Sequence, residues 1–428
     1  MTFRIPTLVG AIFLIQANAA ELTGHWEGEL RKGSAKSPIS IAATDSGTTW
    51  TLPACGWKDY PFNTVRADGN RVELGYGSDP GWTLSGTLNG DSFQGTFVRG
   101  DFNADFSLTR VPLDQPYHEE EFDYENGDVH INAALVIPNG PGPHPVVVML
   151  HGSGDHEMVR YRFHADFFAR LGVACVIADK RGCGKSTGDW NKVGFVPLAE
   201  DGIKAVEKLR ARADVDPQRI GMTGISQAGW IMVQAAALSK DVQFLIVDSG
   251  AAYDVEREGF YDYEVMLRDK GHSEEEIRKA VEILKADNAI TRTGQGFDEL
   301  KAKREQLKNV AWYRDLGLIL QKPDSTGRDF YRKIIDFDPR PLLVKDVNIP
   351  VLWLYGEEDK SVSPQECIPI LEEIQKKHNK DYTIRVFPRA DHGLRVPPDP
   401  ARDAAPFDVL ADGVLDAKTQ WLRERILK

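Results

Sequence analysis

The sequence predicts an α/β protein: a doubly wound, mostly parallel sheet with a helical insertion, preceded by a small all-β domain. Three observations predict it. From about residue 117 onward, near-continuous apolar runs alternate with amphipathic stretches. That pattern belongs to a parallel sheet covered by helices on both faces. Between about Tyr253 and Lys345 the strand signal disappears and helical charge patterning takes over. Residues 21 to 110 show short alternating runs between turn signals instead, as antiparallel strands joined by hairpins do.

The N-terminal region carries Asp68-Gly69-Asn70, Asn89-Gly90-Asp91 and Arg99-Gly100-Asp101 between strand-like runs. These are hairpin turns, and the region reads as a small barrel or sandwich. Val111 to Pro116 is a linker. Glu119–Tyr124 and Val129–Ile137 flank Asn126-Gly127-Asp128, which predicts a hairpin. Buried strands are expected at Val146–Leu150, Val173–Ala178, Arg219–Thr223, Phe244–Val247, Val351–Tyr355 and Tyr382–Phe387. Helices are expected at Arg160–Arg170, Pro197–Arg212, Gln227–Leu238 and Pro406–Leu427. Within the insertion, Ser273 is placed to cap a helix with Glu276 completing a capping box. The resulting division is a signal peptide over 1–19, a β domain over 20–112, and a catalytic domain over 113–428 with its cap at about 253–345.

Composition narrows the function. The 428 residues are 42% apolar and 27% charged, which excludes a largely disordered or collagen-like chain. A net charge of −12 disfavours binding to a phosphate backbone, so no nucleic-acid partner is expected. No membrane span is expected either. The N-terminus has Arg4, a mainly apolar run from Ile5 to Ile15, and Ala17-Asn18-Ala19. This is the layout of an export signal cleaved after Ala19, and it places the mature protein in the periplasm or outside the cell. Four scattered cysteines do not make a disulfide scaffold, and neither CxxC nor HExxH is present to suggest zinc.

The chemistry concentrates at Gly224-Ile225-Ser226-Gln227-Ala228-Gly229, between a strand and a helix. A serine on so sharp a turn is forced into a strained backbone conformation that lifts its hydroxyl above the sheet edge. The alternative is a serine that merely caps the helix. A serine nucleophile needs a base, and His392 follows the last expected strand. The base needs an acid to hold its tautomer. Asp359, just after Val351–Tyr355, fits best; Glu357 and Glu358 are adjacent, and Asp248 is the main rival. The oxyanion of a tetrahedral intermediate needs backbone donors. The N–H of Gln227 is one candidate. The second comes from His151-Gly152-Ser153-Gly154, where Ser153 is chosen and Gly154 is its neighbour. Gly182-Cys183-Gly184-Lys185-Ser186 imitates a phosphate loop, but the glycine that motif needs is Asp179 here. Asp179, Arg181 and the glycines are expected to fix a loop near the site.

With the elbow, the His151 loop, the Asp179-to-Ser186 turn, Asp359 and His392 in this order, the chain from about residue 117 resembles the α/β-hydrolase family. It looks most like secreted bacterial esterases related to dienelactone hydrolases and prolyl-oligopeptidase-type peptidases, some of which carry an N-terminal β module. The resemblance implies Ser–His–Asp acyl transfer with no metal and no organic cofactor. It departs from the commonest pattern at Ala228, where glycine is usual. The expected function is hydrolysis of a small-molecule carboxylic ester. A serine peptidase or thioesterase comes second, and a non-catalytic binding protein on the same scaffold third. The cap is expected to offer Trp312, Tyr313, Phe330 and Tyr331 to an acyl chain.

Overall fold

A computed structural model describes residues 22–77 and 81–428. The export segment expected over 1–19 lies outside the described residues. The chain divides into two compact units.

The first unit takes in the described residues up to Gln115 together with Arg162–His164 and Pro397–Val409. Its nine strands are β1 (Gly24–Lys32), β2 (Ala35–Thr44), β3 (Gly47–Leu52), β4 (Trp57–Pro61), β5 (Thr64–Asp68), β6 (Arg71–Tyr76), β7 (Trp82–Asn89), β8 (Ser92–Arg99) and β9 (Phe102–Val111). They form one antiparallel sheet in the order β4-β3-β2-β1-β9-β8-β7-β6-β5. The two edges, β4 and β5, are consecutive in the chain and joined only through Phe62 and Asn63. So short a link holds the edges within about 11 Å of each other, so the sheet curls into a barrel. Trp26, Trp50 and Trp82 fill it, each 5% exposed or less. Phe407, from the late segment, packs on Trp57 with ring centroids 4.7 Å apart.

The second unit holds β10 (Tyr117–Glu121), β11 (Tyr124–Asn126), β12 (Val129–Ile131), β13 (Ala133–Pro138), β14 (His144–Met149), β15 (Ala174–Ala178), β16 (Val215–Ile225), β17 (Leu245–Asp248), β18 (Val351–Gly356) and β19 (Tyr382–Phe387). Eight of these build a sheet in the order β10-β13-β15-β14-β16-β17-β18-β19. It is antiparallel at β10/β13 and β13/β15 and parallel from β15 onward. The Asn126-Gly127-Asp128 hairpin is present, but it is the short β11/β12 pair. The longer flanking runs pair as β10 with β13. Residues of β14 and β17 are almost wholly buried, which explains why these strands read as unbroken apolar runs.

The helices are α1 (Arg162–Arg170), α2 (Phe195–Arg210), α3 (Gln227–Leu238), α4 (Val255–Asp269), α5 (Glu274–Thr293), α6 (Phe297–Leu307), α7 (Ala311–Leu316), α8 (Asp329–Ile334), α9 (Arg340–Lys345), α10 (Pro364–His378) and α11 (Val414–Arg425). The last begins after Gly413 rather than at Pro406, and Pro406–Val409 belong to the barrel unit. Helices α4 to α9 lie between β17 and β18, so the insertion is helical throughout. Ser273 and Glu276 form the reciprocal capping box at the start of α5.

The insertion has its own core, from Phe260, Leu267, Ile283 and Leu300 to Trp312, Tyr313 and Leu316. This corrects one expectation. Trp312 and Tyr313 are only 5% and 7% exposed, and the insertion's own helices consume their apolar area. Phe330 and Tyr331 pack partly buried against the main core instead.

Candidate active site

In the order β15-β14-β16, the chain leaves β14 toward one side of the sheet and returns to β16 on the other. The crevice between the C-terminal ends of two such strands is where open α/β sheets bind ligands. The loop after β14 carries His151 to Gly154, and the turn after β16 carries Ser226.

Ser226 sits at φ 61°, ψ −126°. A side chain in this region costs roughly 1–3 kcal/mol and persists only where its surroundings impose it. The N–H of Ser226 donates to the Asp248 carbonyl at 2.9 Å, and its carbonyl accepts from Gly229 N–H at 2.8 Å. A Cβ on Gly224 would meet the Ala228 methyl at 2.6 Å and the Leu150 carbonyl at 2.7 Å. Glycine is therefore required at 224, and the alanine at 228 already fills the space beside it. Ser226 occupies the N-cap of α3, yet its side chain makes no capping hydrogen bond. Its hydroxyl is not used to hold the helix.

Asp359 and His392 meet across two loops that follow adjacent parallel strands, β18 and β19. His392 Nδ1 lies 2.9 Å and 3.0 Å from the two Asp359 carboxylate oxygens. The Asp359 side chain is fully buried, and Oδ1 also accepts from the N–H groups of Ser361 and Val362, both at 2.8 Å. This fixes the carboxylate and leaves Nε2 of His392 as the ring nitrogen without a partner among the described residues. Burial pushes the His392 imidazole down, but the hydrogen bond and charge of Asp359, with Glu258 and Asp262 behind it, outweigh this. The net result lies above the ordinary histidine value.

The rival acid is committed elsewhere. Asp248 Oδ2 pairs with Lys418 Nζ of α11 at 2.5 Å, both groups being buried.

The N–H groups of Gln227 and Ser153 engage no other described residue. Gln227 is the first residue of α3, where N–H groups point out of the helix and toward negative charge. A Cβ on Gly152 would lie 3.3 Å from the Ile225 carbonyl, so the Ser153 loop runs against the elbow. The two nearby histidines are not bases. Burial pushes His151 down to about 3 and His156 to about 4. Each instead lies within hydrogen-bond distance of a carbonyl, Ala178 at 2.8 Å and Ser153 at 2.9 Å.

The turn that imitates a phosphate loop is filled by its own hydrogen bonds. Asp179 accepts from Met158 N–H, Lys185 N–H and the Asn132 amide at 2.7–2.9 Å. A Cβ on Gly184, at φ 51°, would strike the Asp179 carboxylate at 2.3 Å. Arg181 forks onto Asp201.

Three groups escaped the sequence reading. Tyr261 of α4 donates to the Asp359 carbonyl at 3.0 Å. Half-buried Glu258, one turn earlier, is pushed up to about 8 by burial and by Asp262. Asp262 is pushed up to about 6 by burial against the same loop, although its exposed edge lets solvent screen part of that effect. Helical spacing of Glu258 and Asp262 was visible, but nothing in the sequence aimed that helix at His392.

Comparison with known proteins places the chain. The X-Pro dipeptidyl-peptidase (S15 family) description matches residues 126–393, a span that includes Ser153, Ser226, Gln227, Asp359 and His392. Thiohydrolase aneE of Aspergillus aculeatus is 29% identical over 140 residues, 32% of this chain and 43% of its own. Quorum-quenching protein AidA of Acinetobacter baumannii is 31% identical over 132 residues, 31% of this chain and 42% of its own. Esterase EstD of Thermotoga maritima is 23% identical over 294 residues, 66% and 63% respectively. In each, the aligned part is less than two thirds of the relative's length. Among solved structures, an acylaminoacyl peptidase of Pyrococcus horikoshii superposes with a TM-score of 0.48 at 16% identity, covering 93% of this chain and 55% of that one. With its family matched over more than half its length, the chain belongs to the X-Pro dipeptidyl-peptidase (S15) family.

Proposed function

We propose that the protein is a hydrolase of the α/β type, an exported serine carboxylesterase. The observation that carries the reading is Ser226: a strained serine whose hydroxyl caps nothing, at the N-terminus of a helix above a parallel sheet. The Ser226 oxygen attacks the acyl carbon while Nε2 of His392 takes the hydroxyl proton. Asp359 holds Nδ1–H and stabilises the imidazolium. The carbonyl oxygen, now negative, lies against the N–H groups of Gln227 and Ser153. Collapse expels the alcohol with the proton from His392 and leaves an acyl-serine. Water, deprotonated by His392, releases the acid and restores the hydroxyl.

A peptidase is the second reading. The family description favours it, and so does the Asp262 carboxylate, whose charge reaches His392 and suits a substrate amino group. Short p-nitrophenyl esters assayed beside an Xaa-Pro p-nitroanilide separate the two. Higher kcat/KM on the esters supports the esterase, and the reverse overturns it. Export is read from Arg4 through Ala19. The test is the mass of the protein recovered from the periplasm or medium, which should begin at Ala20.

A further inference from the structure

Lys180 follows β15 in the turn that imitates a phosphate loop. Its side chain is 2% exposed, and a lysine is seldom buried unless its ammonium is satisfied. Here it is satisfied without any carboxylate in hydrogen-bond contact. Nζ donates to the Gly152 carbonyl at 2.8 Å and to the Gly154 carbonyl at 2.9 Å. It also lies 4.1 Å from the centre of the Trp190 ring, a cation–π contact. Trp190 is itself fixed by its indole N–H, which donates to Asp155 at 2.8 Å. Burial pushes the ammonium down to about 8, with Cys183 and Asp155 opposing the fall, so most of it stays charged at neutral pH.

The two carbonyls matter because a trans peptide unit is planar, and its C=O and N–H point in opposite directions. The Gly152 carbonyl shares its unit with the Ser153 N–H. Holding that carbonyl on one side turns the N–H to the other. Flanking glycines leave the unit little resistance of its own to rotation, and Gly154 already sits at φ 90°. The Ser153 carbonyl, held by His156, controls the next N–H, that of Gly154.

We propose that Lys180 is the positioning residue of the oxyanion hole: by bridging the Gly152 and Gly154 carbonyls it locks the Ser153 N–H toward the space above Ser226. This rests on the hydrolase reading only in taking Ser153 as an oxyanion donor. The lock acts on the transition state, because the N–H meets full negative charge only there.

The test uses the full chain carrying Lys180→Met and, should that variant fail to fold, Lys180→Gln, which can satisfy only one carbonyl well. Three quantities are read: kcat and KM on a p-nitrophenyl ester, Ki for an alkylboronic acid that forms a tetrahedral serine adduct, and amide hydrogen exchange across residues 150–156. Loss of one whole oxyanion donor costs roughly 10²–10³-fold in kcat. The expected fall is about 10- to 100-fold, since the donor is loosened rather than removed. KM should stay within about twofold, Ki should rise in parallel with the loss in kcat, and exchange in the loop should quicken while that of α3 does not. Wild-type kcat with unchanged exchange overturns the proposal. So does a fall in kcat with the boronic acid bound as tightly as before. If wild type turns over no ester, the esterase reading fails, and the exchange measurement alone decides whether Lys180 holds the loop.

Discussion

Two glycine-rich, serine-bearing turns leave the C-terminal ends of parallel strands in the same sheet, and they are put to opposite uses. After β15, Gly182 to Ser186 folds back on itself. The Ser186 hydroxyl donates to the Asp179 carbonyl at 2.8 Å and accepts from Asn132 N–H at 2.9 Å. After β16, Gly224 to Gly229 holds Ser226 at a positive φ with its hydroxyl uncommitted. A serine whose hydroxyl both donates and accepts within the fold is held in place and cannot turn toward an acyl carbon without breaking those bonds. A strained serine with an idle hydroxyl stores backbone energy for a hydroxyl that holds nothing in place. On the proposed function, the contrast separates a motif that builds a site's wall from one that supplies its nucleophile, although both read as glycine and serine beside a strand.

The sharpest test sets the two serines against each other. Ser226→Ala should cut ester turnover on the order of 10⁴–10⁶-fold, as loss of a triad nucleophile does, with little change in thermal midpoint. Ser186→Ala should do the reverse. Two buried hydrogen bonds are lost, for about 1–3 kcal/mol of stability, while kcat moves by no more than a few-fold. Retained activity in Ser226→Ala, or collapse of kcat in folded Ser186→Ala, would reverse their roles.

The two candidate acids extend the comparison. Asp359→Asn should lower kcat by up to about 10⁴-fold. Asp248→Asn should leave the chemistry nearly intact but strand the Lys418 charge in the core, at about 3–5 kcal/mol in urea unfolding. The pH profile checks the same assignment. His392 must be neutral to act as base, so activity falls as pH drops through its pKa. That acid limb should lie above the usual imidazole value, because Asp359 raises it. In Asp359→Asn it should move to lower pH; a limb that stays put would mean another acid is the partner.

Smaller effects follow from packing and strain. Trp312→Ala should cost about 3–5 kcal/mol, as truncation of a buried aromatic does, without shifting the order of preference along a short-to-long ester series. A clear shift would return Trp312 to the acyl pocket. Ser226→Gly should be inactive but more stable by about 1 kcal/mol, since glycine accepts positive φ at no steric cost.

What the sequence determined by itself was local. Strand and helix periods, the spacing from Gly224 to Gly229 and the hairpin turns each act over fewer than about ten residues, so they leave a readable pattern. The elbow, the placement of His392 after the last strand and the capping box at Ser273 were legible for that reason. The tertiary structure decided what depends on distant partners. The place of Asp359 after its strand marked it as the better acid, but only the folded chain pairs it with His392 from 33 positions away and gives Asp248 to Lys418 from 170 positions away. Trp312 and Tyr313 looked like exposed apolar surface until the helices of the insertion closed over them. The barrel's claim on Pro397–Val409 likewise has no mark in the chain. Lys180 stood unremarked between two residues that were singled out, because its work is done on carbonyls 28 and 26 positions earlier. A carbonyl looks the same in every sequence, and only the folded chain says which ones a buried ammonium will hold.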